Sequence, residues 1–281
     1  MSTTVSAVGI HDHPKYKLGA AIGPKTWDEK TLKLANFLDT SLQAPVSYDF
    51  DAKRKPFPPH MWGNDVYGDC EVAARANYLQ RLQRAQTKTT PGITDDDVIN
   101  LYKQMTGCVS PGDANDTGMT TLQNLQEWRS GWSISKVWQM GGQQTRDYTI
   151  SAYGYINPAD HSLSRLATYL FSGVLLGVNL PISAQTQTNN GVWDVVSPGD
   201  PNGAPGSWGG HCVLTKRYDA DNVYVLTWGM EIRATNAWMD MYCVEGYSVI
   251  DTLDPWFSFP QVLNVQSLED EMKQIGVTVQ T

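Results

Sequence analysis

The apolar positions of this chain fall into two textures. From Cys70 to Ala85 there is neither glycine nor proline, and Val72, Ala76, Leu79 and Leu82 recur at spacings of three and four. That spacing gathers them on one face of a helix of about four turns. Thr94 with Asp97 three residues on is a capping pair ahead of Val98, Ile99, Leu101 and Tyr102, and Asp95 and Asp96 suit the positive end of a second helix. Thr120 or Thr121 caps a third, carrying Leu122, Leu125 and Trp128, and a fourth begins around Asp160. After Gly173 the runs become short and rich in Val, Leu, Tyr and Trp: "VLLGVNLPI", "GVWDVV", "HCVLTKRY", "NVYVLTW" and "YSVID". These predict an antiparallel sheet, with Tyr218 to Asn222 as a hairpin connection. Helices first and strands second predict an α+β protein with a helical lobe at about 63–172, a sheet lobe at about 173–254, and a cleft between them.

The flanks read differently. Residues 1–55 are punctuated by Pro and Gly and form an N-terminal extension or arm, with one amphipathic helix candidate in "TWDEKTLKLANFLD". Residues 255–281 form a C-terminal extension whose Ser267–Asp270 capping pair and apolar Leu268, Met272 and Ile275 predict a short final helix. The most apolar stretch, Leu166 to Ile182, is broken by Gly173, Gly177, Asn179 and Pro181. It reads as a core helix running into a buried strand and not as a membrane span.

Composition narrows the function classes. The net charge of −8 without a long basic run excludes an electrostatic footprint for nucleic acid. Four widely spaced cysteines with no CxxC pair signal neither a zinc site nor a disulfide framework, so reduced thiols and a cytoplasmic setting are expected, with no signal peptide in view. "HDH" at His11–His13 lacks a third ligand and reads as part of a solvated arm. "DANDTG" at Asp113–Gly118 begins like a calcium loop but has Asn124 where a bidentate Glu is needed, so a turn-rich loop is expected. No cofactor is implied.

One constellation carries chemistry. Cys70 heads a helix, where unpaired N–H groups and the dipole favour a thiolate. Of five histidines, His211 follows "SWGG" and opens a strand, so small neighbours leave its ring approachable. Ahead of it lies "SPGDPNGAPGSWGG", with three Pro and five Gly, a loop expected to border the cleft.

The order of motifs resembles the papain-like cysteine peptidases. "NDVYGDC" keeps Gly68-Asp69-Cys70 and puts Asn64 at the family's oxyanion glutamine; "GDANDTGMTTLQNLQEW" occupies the place of its acidic, Gly-containing loop. "GVLLGVNLPISAQTQTNNGVW" is similar to the segment before the family's histidine, and "YVLTWG", Tyr224 to Gly229, matches its Trp-Gly. His211 lies about 140 residues after Cys70, within the spacing stated for such enzymes. The resemblance covers roughly residues 56–252, within a papain-like domain at 56–254. It implies a Cys-His thiol hydrolase acting on peptide or isopeptide bonds, with Cys70 as nucleophile, His211 as base and Asn64 as oxyanion donor.

The chain departs from the family at three positions. The asparagine that orients the histidine is missing, and Thr227 is the residue in register able to bond an imidazole nitrogen. Asp69 and Glu71 flank Cys70, and their charge is expected to raise its pKa. Asn64 is one methylene shorter than glutamine. The alternative is a papain-fold protein without catalysis, serving as a binding or structural protein, alone or as a component of a larger assembly. The expected partner is a polypeptide substrate or another protein, with no role for nucleic acid or membrane.

Overall fold

The computed structural model describes residues 15–22, 31–39, 41–52, 58–87, 92–137, 143–250, 267–268 and 270. The first predicted helix is α1, Cys70–Thr87, and the second is α2, Asp95–Thr106, with both hydrogen bonds of the Thr94–Asp97 capping box in place. Thr120, not Thr121, caps α3, Thr121–Ser130, through the same arrangement with Gln123, and Asp160 caps α4, His161–Phe171. As expected, α4 runs directly into a buried strand.

The first half is less purely helical than its pattern predicts. A hairpin of β2, Trp132–Val137, and β3, Gln143–Tyr148, follows α3, and β4, Ala152–Ile156, belongs to the main sheet. Together with β1, Tyr48–Asp49, β5, Leu175–Leu180, β6, Val192–Trp193, β7, Gly209–Tyr218, β8, Asn222–Thr227, β9, Met230–Thr235, and β10, Cys243–Ile250, it completes an eight-stranded sheet in the order β4-β10-β5-β7-β8-β9-β6, with β1 also on β7. All its pairings are antiparallel except β6 on β9. Short helices α5, Ser183–Asn189, and α6, Asn236–Tyr242, connect strands, and neither was signalled by the apolar pattern. The architecture is α+β.

The sheet is buried on both faces, because successive side chains of a strand point to opposite sides. Val213 of β7 and Leu176, Val178 and Leu180 of β5 join a core with α4, α6 and Tyr16, Leu18, Leu32, Leu34, Phe37 and Leu38 of the N-terminal stretch. Their neighbours Cys212, Leu214 and Leu175 join the second core, under α1, α2 and α3. Arg81 of α1 crosses between layers, fully buried, donating to the carbonyls of Ser172, Thr215 and Lys216 and lying 3.5 Å from Asp51.

One N-terminal expectation changes. Within 31–39 the amphipathic segment makes only one 3-10 turn, Leu34–Asn36, held against β4 by Tyr155 N–H donating to Leu32 O. Its apolar residues are buried because tertiary packing, not helical periodicity, selects them. His11 and His13 lie outside the described residues, as does most of the expected C-terminal helix. Among the described residues no helix is long and apolar enough to cross a membrane.

Candidate active site

Cys70 is the first residue of α1, so its N–H belongs to the turn whose donors have no intrahelical acceptor. The loop before it is pinned from two directions. The Asn77 amide oxygen of α1 accepts from His60 N–H and Trp62 Nε1, and Asp116 Oδ1 accepts from Gly68 N–H at 2.9 Å and Tyr102 Oη at 2.7 Å. Asp116 lies in the "DANDTG" loop. Its other oxygen takes Gly112 N–H, while Asp113 takes four further main-chain N–H groups. The turn-rich reading of that loop holds, and its carboxylates are spent on the loop itself and on the approach to Cys70.

His211, fully buried, lies on β7, and its Nε2 is 2.6 Å from Thr227 Oγ1 at the end of β8. With the Thr227 hydroxyl accepting from Nε2–H, the imidazole keeps its basic lone pair on Nδ1, which is buried and has no partner among the described residues. Trp228 and Gly229 form the two-residue turn joining β8 to β9, both at positive φ (46° and 70°), the signature of a type I′ hairpin. A tryptophan in that region is strained, and the strain lays its indole flat on His211, with ring centroids 4.1 Å apart and planes 18° apart. The structure thus brings His211, Thr227 and Trp228 together.

Among the described residues Cys70 makes no hydrogen bond to the imidazole, and burial alone shifts His211, with no contribution from Cys70. Its thiol is met by the N–H groups of Cys212, the neighbour of His211, and of Gly19. Asn64 is buried in the loop before Cys70 and donates through Nδ2 to Tyr67 O at 3.1 Å, leaving one amide hydrogen.

The electrostatics revise the expected role of the flanking carboxyls. Burial is the first cause of the raised Cys70 pKa, ahead of Glu71. Burial also pushes Asp69 well up, and burial with the neighbouring Glu245 pushes Glu71 to about 8, so Glu71 holds a proton at neutral pH. Thr121 Oγ1 lies 2.7 Å from both Glu71 Oε1 and Glu245 Oε1. A hydroxyl has one proton to give, so one of the two carboxyls must donate to it. Burial lowers His211 to about 3. At rest the Cys70 thiol and the His211 imidazole are both neutral.

These shifts carry a pH prediction. Glu71, raised from 4.5 to about 8, contributes stability below its unfolded pKa that is lost as pH rises towards 8. The depressed His211 acts in the opposite sense, only as pH falls from 6.5 towards 3. Between pH 6.5 and 8 the Glu71 effect is therefore clear of His211. Over that window Glu71→Gln should flatten the fall of unfolding free energy by about 1.4 kcal/mol per pH unit, one proton's worth. Urea titrations at a series of pH values check it, and parallel slopes would remove the protonated carboxyl.

Sequence reasoning missed what lies over the thiol. Residues 16–21 run in extended form across Cys70, bonded to both lobes. Lys17 N–H donates to Asn64 O, Met119 N–H to Gly19 O, Ala21 N–H to Met119 O and Ala20 N–H to Gly210 O, and Trp228 Nε1 donates to Lys17 O. The tail of the Gly/Pro-rich loop borders this groove as expected, through Gly209 and Gly210. Glycines at 19, 68, 118, 209 and 210 were visible in the sequence, but nothing in it says that they face one another.

No family model and no curated protein matches the chain. Solved structures do. Xylellain, a cysteine protease from Xylella fastidiosa, is similar over 86% of this chain and 99% of its own, at 14% identity and TM-score 0.59. The cysteine protease and lectin-like domains of Cwp84, a surface layer associated protein of Clostridium difficile, match over 85% of this chain and 56% of theirs, at 12% identity and TM-score 0.54. A structure solved to explain limited antibody cross reactivity between the mite allergens Blo t 1 and Der p 1 matches over 81% of this chain and 78% of its own, at 13% identity and TM-score 0.54. At these identities the likeness is one of architecture, and with the helix-heading Cys70 and the two-lobed layout it establishes that this chain has the papain-like fold.

Proposed function

We propose that the protein is a thiol hydrolase acting on peptide or isopeptide bonds of a polypeptide substrate. The observation that carries this reading is the His211 setting: Nε2 tied to Thr227, the ring covered by Trp228, and Nδ1 without a partner among the described residues, on the strand whose next residue, Cys212, meets the Cys70 thiol. In the proposed reaction the Cys70 thiol passes its proton to Nδ1 and its sulfur adds to the carbonyl carbon. The oxyanion takes hydrogen bonds from Cys70 N–H and the remaining amide hydrogen of Asn64. The imidazolium then protonates the departing amine as the C–N bond breaks, and water, deprotonated by the same imidazole, releases the thioester as a carboxylic acid. Thr227 is a positioning residue, because its hydroxyl holds the tautomer. The four cysteines are free, which suits a reducing, cytoplasmic setting within the same proposal.

A second reading, a polypeptide-binding protein without turnover, is favoured by the occupied groove and the neutral resting pair. One experiment separates them. A β-carbon at position 19 would lie 1.7 Å from Gly68 O, so Gly19→Ala in the full chain opens the groove. The opened chain should cleave an unstructured polypeptide such as denatured casein, and Cys70→Ala in that background should not. Tight casein binding with no cleavage would favour the second reading.

A further inference from the structure

The residues over Cys70 are held by contacts that admit almost no other side chains. A β-carbon on Gly19 would meet Gly68 O at 1.7 Å, one on Gly118 would meet Gly19 O at 1.6 Å, and one on Gly210 would meet Ala20 O at 2.1 Å. Contacts below 3.0 Å with backbone leave nothing flexible to give way. Both walls therefore approach the extended chain at main-chain distance, and the chain meets them with its own main chain. Met119 donates to Gly19 O and accepts from Ala21 N–H, with Ala20 bridged parallel to it, while Gly210 O accepts from Ala20 N–H on the opposite wall. On either side of glycine the site takes defined residues. Leu18 is buried against Gly209 in the core of Trp208 and Trp228, and Ala20 is buried in the other core with Cys70 and Met119. Gly19 N–H meets the Cys70 thiol.

We propose that the groove over Cys70 is a recognition site for an extended polypeptide of the type Leu-Gly-Ala, selective for glycine opposite Gly68, and that residues 16–22 are its resident ligand. Backbone hydrogen bonds supply affinity, and the steric wall of Gly68, Gly118 and Gly210 supplies specificity, as in other sites that pair with an extended strand. A polypeptide with a matching segment binds when the resident one leaves. This deepens the hydrolase reading by naming its substrate class, and it rests on that reading for bond cleavage but not for binding.

The test is alkylation of Cys70 by iodoacetamide in the full chain, read site by site by peptide mapping with buried Cys212 as internal reference. Wild type should label no faster at Cys70 than at Cys212. Gly19→Ala, and independently Leu18→Asp, should raise Cys70 labelling about tenfold or more, the equivalent of one or two lost main-chain hydrogen bonds. Millimolar Tyr-Lys-Leu-Gly-Ala-Ala added in trans should restore protection, while Tyr-Lys-Leu-Ala-Ala-Ala should not. A measurement on unmodified wild type guards against misfolded variants: the glycine peptide, and not the alanine one, should speed hydrogen exchange at Gly19 and Ala21. Equal protection by the two peptides overturns glycine selectivity, and variants that label like wild type overturn the resident ligand. Protection by the glycine peptide with no cleavage of it by the Gly19→Ala chain would leave this proposal standing and sink the hydrolase.

Discussion

In the Gly19→Ala chain, replacing His211 by alanine should lower kcat/KM on an extended Leu-Gly-Ala peptide by about a thousandfold, mid-range for loss of a general base. Cys70 is a buried thiol, and the neighbouring Glu71 holds a proton of its own at neutral pH and does not serve as the base. Without the imidazole, attack must wait for the small fraction of thiolate that burial permits. Thr227→Val should cost about tenfold, since one hydrogen bond to a neutral ring is lost while the base stays, and Thr227→Ser should recover it. The pH profile provides an independent readout. With the groove filled, burial holds His211 near 3; with the groove open and hydrated, its pKa returns towards 6.5, so turnover should fall on the acid side through that range. If His211→Ala turns over like its parent, the imidazole is not the base.

The largest expected stability effect belongs to Arg81. Arg81→Met should destabilise the fold by about 3–5 kcal/mol, the range for breaking a buried ion pair from one side. The loss strands the carbonyls of Ser172, Thr215 and Lys216 and leaves Asp51, only 9% exposed, without the guanidinium beside it. Ser172 sits at a φ of 63° at the corner between α4 and β5, so one side chain from α1 holds the corner and the β7 backbone together. Urea unfolding measures it. Adding Asp51→Asn should recover part of the loss, and a cost below about 1 kcal/mol would mean that neighbouring groups or water already satisfy these carbonyls.

The helical half shows how far local signals reach. Capping boxes at Thr94–Asp97 and Thr120–Gln123 close within one turn of chain, so side chains three residues apart satisfy the orphan donors without help from the rest of the fold. Such signals are weaker elsewhere: β9 has only the alternation of Met230, Ile232 and Ala234, α6 only the Thr235 cap, and α5 has no side-chain cap. "MEIRAT" becomes a strand because Asn222–Thr227 pairs with it, and Trp228-Gly229 turns the chain only in a left-handed conformation that tryptophan does not favour. Likewise "TLKLANFLD" has helical spacing, but its apolar residues are taken up by the sheet-side core and only one 3-10 turn forms.

By itself the sequence determined the elements whose stability is local, and with them the head of α1 at Cys70 and the strand that carries His211, while its resemblance to the papain-like peptidases pointed to Thr227 as the partner of the ring. Spacing and capping act over a few residues and are written into the order of side chains. Only the tertiary structure decided the electrical state of the site and what lies over it. The charge of Glu71 and His211 depends on water removed by segments distant in sequence, which turned the expected negative Glu71 neutral and pushed Asp69 in the same direction. The groove depends on Gly19, Gly68, Gly118 and Gly210 approaching at main-chain distance from four separate parts of the chain. A glycine in a sequence shows that close approach is permitted, and only the folded backbone shows what approaches.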